Sequence, residues 1–111
     1  MGFYKHFNTL TEVGMSMIDE SSKIEVKMSI IELMVNTALY QSFESIDLLD
    51  EFIIHLADYA LYLYSKADIR QLLKLRSYCI CSDNLSLKHS KYYDGLKVLI
   101  DLLLQLSFSA T

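Results

Sequence analysis

Hydrophobic residues recur along this chain in steps of three and four: Ile24, Met28, Ile31, Val35 and Ala38 in one run, then Ile46, Leu49, Ile53, Leu56, Ala60 and Leu63 in the next. Steps of that size return to one side of a 3.6-residue helix, so each run describes a helix with an apolar stripe and a polar back. Two such stripes bury each other, and the short segment between them, 40–44, makes the helices antiparallel neighbours. The whole pattern predicts helices over 10–19, 23–40, 46–64, 66–79 and 91–107.

Start signals support these bounds. Thr9 with Glu12, Ser22 with Glu25 and Ser65 with Asp68 each place a hydroxyl cap three residues before an acid, an arrangement that satisfies orphan backbone N–H groups. Ser42 or Ser45 opens the helix that carries Asp47, Asp50 and Glu51, acids suited to the positive end of its dipole. Residues 82–86, Ser-Asp-Asn-Leu-Ser, read as the longest turn. The last helix is apolar nearly all round, with Leu96, Leu99, Ile100, Leu102, Leu103, Leu104 and Leu106. A helix of that kind is either central or docked against something else.

The fold class is therefore all-α: antiparallel helical hairpins, arranged as an armadillo or HEAT-like array or as a closed four-to-five-helix bundle. Residues 1–111 read as one helical domain, or as a piece of a longer helical array, since no linker divides them. Proline is absent and only three glycines occur, too few to punctuate a β-meander. A chain of 111 residues buries enough surface to need no staple. Its 52% hydrophobic content leaves apolar surface to spare for a partner.

Charge is unevenly distributed. Residues 1–55 hold three lysines against nine carboxylates, and residues 56–111 hold seven basic residues against five acidic ones, for a total of −4. That total argues against a nucleic-acid binder. The start, Met1 to Leu10, lacks the unbroken apolar run of a secretory signal, and His6 stands where an N-myristoylation signal wants Ser or Thr. The most apolar stretch, 96–108, is interrupted by Lys97, Asp101 and Gln105 and is too short to span a bilayer. A cytoplasmic protein is expected.

Several clusters invite chemistry. Glu51, His55 and Asp58 share one face of a helix and could form a metal or acid–base cluster, although a solvated polar face explains them as well. Cys79, Cys81 and His89 offer three zinc ligands around the 82–86 turn, with His6 or Asp83 as a fourth, or the cysteines are simply small buried hydrophobes. Lys66, Arg70 and Lys74, with Arg76 close by, form a basic ridge suited to phosphate or an acidic peptide, or to the acids of the first half. Tyr59, Tyr62 and Tyr64 near the end of one helix, and Tyr92 and Tyr93 at the start of the last, suit the rim of a core or an interface. Glycine-rich phosphate loops and nucleophile elbows are missing from the sequence.

One stretch resembles a known family. Ile30-Ile31-Glu32-Leu33, then Glu44-Ser45, then Leu56-Ala57-Asp58-Tyr59, and later Asp83-Asn84-Leu85-Ser86-Leu87 with the apolar run Val98 to Leu106, occur in the order of the helical region of MYND-zinc-finger axonemal dynein-arm assembly factors. That resemblance implies an armadillo-like fold and a cytoplasmic co-chaperone or scaffold in axonemal dynein preassembly, acting through helix faces. The family's zinc finger has no counterpart here, and its connection between the Asp-Tyr helix and the Leu-Ser-Leu segment is longer.

The expectation that follows is a non-enzymatic interaction module without a cofactor. Tyr59, Tyr62, Tyr92, Tyr93 and the exposed side of the last helix would meet a protein partner: a chaperone, a dynein-assembly component or a second copy. The alternatives are a small metal-binding protein using Cys79, Cys81 and His89, and a short viral or pathogen protein that binds host helices.

Overall fold

The computed structural model describes residues 24–37, 43–81 and 85–109, and these form four α-helices and one 3₁₀ turn with no strand among the described residues. Helix α1 is Ile24–Asn36, α2 is Ile46–Ser65, α3 is Ile69–Ile80 and α4 is Tyr93–Ser109, with the 3₁₀ turn over Leu85–His89. The all-α fold and four of the helices predicted from periodicity are present. The helix predicted over 10–19, the caps at Thr9 and Ser22 and the first residues of the 82–86 turn lie outside the described residues.

Caps explain the helix bounds. Ser45, in extended backbone, accepts a hydrogen bond on its hydroxyl from the Leu48 N–H at 3.1 Å and starts α2. The junction of α2 and α3 departs from the sequence reading: Ser65 is the last residue of α2, its hydroxyl donating to the Tyr62 carbonyl, and Asp68 is the cap of α3, accepting from the Gln71 N–H. Between them Ala67 adopts a left-handed φ of 56°, its N–H donating to Tyr64 O while the Asp68 N–H donates to Leu63 O. This is a Schellman ending with alanine where glycine is usual, so the reversal is made by hydrogen bonding at some backbone cost.

The short turn makes α3 antiparallel to α2. Helix α4 is antiparallel to α3, because Tyr93 meets Cys79 while Asp101 meets Arg76. Ile24 and Met28 of α1 line a groove with Asp58, Leu61 and Ser65 near the end of α2, and Asn36 at its other end accepts from Gln71 in the first turn of α3. Helices α1 and α4 each pack on both α2 and α3 and scarcely touch each other. Among the described residues the α2–α3 pair is thus the middle, with one helix along each edge.

The core follows the stripes. Leu49, Phe52, Ile53, Leu56, Tyr59, Ala60 and Leu63 of α2 are buried with Leu72, Leu75, Tyr78 and Cys79 of α3. Met28, Ile31, Met34 and Val35 reach in from α1, and Tyr93, Leu96, Ile100, Leu103 and Leu104 from α4. Phe43 leads into α2 with its ring against Phe52, centroids 5.3 Å apart. No helix among the described residues is long and apolar enough to cross a membrane.

Candidate protein-binding surface

Helix α4 turns a row of large apolar side chains outward from the described residues. One side of it is core, and the opposite side carries Val98 at 68% exposure, Leu102 at 48% and Leu106 at 44%. These stand four residues apart, so they form one stripe along the outside of the helix. Phe108, near its end, is 55% exposed as well. Together they present on the order of a few hundred Å² of apolar surface, comparable to the largest apolar patch of a typical small protein, which is often a functional one.

The stripe sits on a well-anchored helix. The Tyr93 hydroxyl donates to the Cys79 carbonyl at 3.0 Å, satisfying a buried acceptor near the end of α3. Just before the helix, the buried Ser90 hydroxyl donates to the Asp50 carboxylate of α2 at 2.6 Å and accepts from the Tyr92 N–H. Arg76 of α3 pairs with Asp101 at 2.8 Å on the outside. A rigid helix loses little conformational freedom when its face is covered, which favours recognition.

The four tyrosines expected at a partner surface divide. Tyr59 and Tyr93 are core residues, buried in the shared core, and this takes them off the surface. Burial raises the Tyr59 phenol well above its ordinary range; the neighbouring Gln71 amide offsets part of the shift, and the Glu32 and Asp68 carboxylates add to it. Among the described residues that hydroxyl has no hydrogen bond of good geometry. Burial also raises Tyr93, with Cys79 and Asp94 contributing. Tyr62 is half-buried beneath the Lys66 ammonium, 5.6 Å from its ring centroid, and Tyr92 is 43% exposed with Lys91 over its ring at 5.2 Å. Periodicity does place Tyr59 and Tyr93 inward, in step with Leu56 and Leu63 and with Leu96 and Ile100, so the helical register already separated them from Tyr62 and Tyr92.

The other candidate clusters do not converge. Among the described residues no three His, Cys, Asp or Glu side chains are placed to hold a metal ion. Cys79 is fully buried in the core, where burial pushes its thiol up to about 12, while Cys81 caps α3 and His89 is exposed. The zinc set Cys79, Cys81 and His89 is therefore not assembled; its proposed fourth ligands, His6 and Asp83, lie outside the described residues. Glu51 and His55 pair loosely at 3.9 Å along α2, and Asp58 turns instead toward the α1–α2 groove. Lys66, Arg70 and Lys74 are all exposed, and Arg76 is committed to Asp101.

Two polar ties carry no signal in the sequence: Ser90 with Asp50, 40 residues apart, and Gln71 of α3 donating its side-chain N–H to the Asn36 amide oxygen of α1 at 2.7 Å. No family model, curated protein or solved structure matches the chain.

Proposed function

We propose that this chain is a non-enzymatic protein–protein interaction module that binds a partner helix along the outer face of α4, in the cytoplasm. The observation that supports the reading is the stripe of Val98, Leu102 and Leu106 turned away from the core on a helix tied at its start and middle. Binding free energy in such a contact comes from desolvating a few large side chains against a partner's apolar ridge, with Tyr92 at the rim. The partner class to test first is the one implied by the resemblance to dynein-arm assembly factors: chaperones and subunits of axonemal dynein preassembly.

The test is capture of those components by the wild-type chain and by Leu102→Glu, with melting followed in parallel. Leu102 is half out of the fold, so the substitution should leave the helical spectrum and the melting midpoint nearly unchanged while capture falls at least tenfold. A folded Leu102→Glu chain that captures its partner as well as wild type would overturn the α4 face as the contact.

A further inference from the structure

We infer that this chain self-associates by laying the outward face of α2 in one copy along the outward face of α3 in the next. The inference uses neither the α4 stripe nor the reading built on it.

Opposite its buried Phe52, Leu56, Tyr59 and Leu63, α2 carries Glu51, Ile54, Asp58 and Leu61 in one row. Ile54 and Leu61 are exposed apolar residues, and Asp58 is exposed beside them. Away from its buried Leu72, Leu75 and Cys79, α3 carries Arg70, Leu73, Ser77 and Ile80 in one row, all exposed. The two rows have the same spacing, with their apolar members seven residues apart in each. Laid together in the same direction, they bring Glu51 to Arg70, Ile54 to Leu73 and Leu61 to Ile80 at once. Asp58 then lies opposite Ser77, with Lys74 one turn away. Laid in opposite directions, the apolar residues still meet, but Glu51 falls beyond the end of α3 and Arg70 faces Tyr64. Charge therefore selects the parallel arrangement.

This match identifies the occupant of each face as a second copy. The acidic–apolar row of α2 has its complement, in sign and in spacing, on the basic–apolar row of the same chain. The two rows cannot meet within one molecule. α2 and α3 pack together with α1 and α4 on either side, so each row lies on the side of its helix that faces away from the other helix. The contact is thus heterologous, and each added copy leaves one face of each kind unused, which builds an open line instead of a closed dimer. Two apolar pairs and exposed ion pairs make a small contact, so association is weak, concentration-dependent and reduced by salt.

The test is sedimentation velocity of the full chain from about 10 µM to about 1 mM. The average mass should rise with concentration without levelling at a dimer, and should fall as salt is added. Glu51→Arg and Arg70→Glu should each keep the helical spectrum and melting midpoint yet weaken association about tenfold, since each sets like charges face to face. The double variant should recover it, and so should an equimolar mixture of the two single variants, because every contact then pairs opposite charges again. A wild-type chain that stays monomeric throughout would overturn the inference. So would single variants that associate like wild type, or weakened ones that neither the double variant nor the mixture restores. Association that survives Glu51→Arg but is lost in Leu102→Glu would put the second copy on α4, overturning this inference while leaving the α4 reading in place.

Discussion

The two edge helices pack on the same central pair in different ways. Helix α4 buries Tyr93, Leu96, Ile100, Leu103, Leu104 and Ser107 and is clasped to its neighbours by Tyr93, Asp101 and the adjoining Ser90. Helix α1 buries four residues, and among the described residues it has a groove on each flank and the Gln71–Asn36 amide pair as a polar tie. Both present apolar residues outward, Val98 and Leu102 on α4 and Val26 and Leu33 on α1. The lesson lies in how an outward face is held: on a firmly clasped helix it is a platform, whereas a helix held by fewer contacts opens in local unfolding before the rest.

A matched pair of deletions probes the difference most strongly. Ile100 on α4 and Ile31 on α1 are equally enclosed, so truncation to alanine removes the same atoms from equally dry surroundings. Ile100→Ala should cost about 3 kcal/mol of global stability. Ile31→Ala should shift the global denaturation midpoint by less than half as much and appear mainly as faster hydrogen exchange in α1. Equal midpoint shifts would erase the distinction between the edges.

Alkaline pH should act next, through the α3–α4 contact. The buried Cys79 thiol keeps its proton in the fold up to about 12, whereas the unfolded chain releases it near its ordinary value of 9.0. Unfolding therefore releases a proton across that interval, and stability present below about pH 9 declines as pH rises toward about 12. The raised phenols of Tyr59 and Tyr93 add in the same direction. Cys79→Ala should decline less steeply in denaturant titrations between pH 8.5 and 11; an unchanged slope would remove this thiol from the account.

How much of this could be read from the sequence follows from what periodicity encodes. Spacing in threes and fours gave the helices and their inward faces, because burial on one side is what that spacing means. It was weaker at the α2–α3 turn: Ser65 and Asp68 match a capping box, yet the α2 stripe continues to Leu63 and the chain reverses at Ala67 instead. Tyrosine type was a poor guide to surface position, since Tyr59 and Tyr93 obey the register of their helices. The outward stripe of α4 was partly legible as a helix with too many leucines. Its orientation required knowing which neighbours it meets. The Ser90–Asp50 and Gln71–Asn36 ties join residues 40 and 35 apart, and nothing local to either partner announces the other.

Two smaller effects sharpen the contrast between edges. Ala67 sits in the central pair with φ 56°, so Ala67→Gly should stabilise the chain by about 1 kcal/mol, raising the denaturation midpoint without changing the relative protection of α1 and α4. A change in that ratio would mean the turn also governs α1. Arg76→Ala opens the exposed α3–α4 ion pair and should cost only about 0.5 kcal/mol, largely erased in high salt. A loss several times larger would show that this clasp, more than the apolar packing, fixes α4.

Site-resolved native-state hydrogen exchange of the full chain across a denaturant series tests the unequal edges most directly. The amides of α1 should open in a separate, lower-energy step, exchanging at least a hundredfold faster than those in the middle of α2, α3 and α4, which should open together. A single opening step in which α1 is as well protected as α4 would contradict the account.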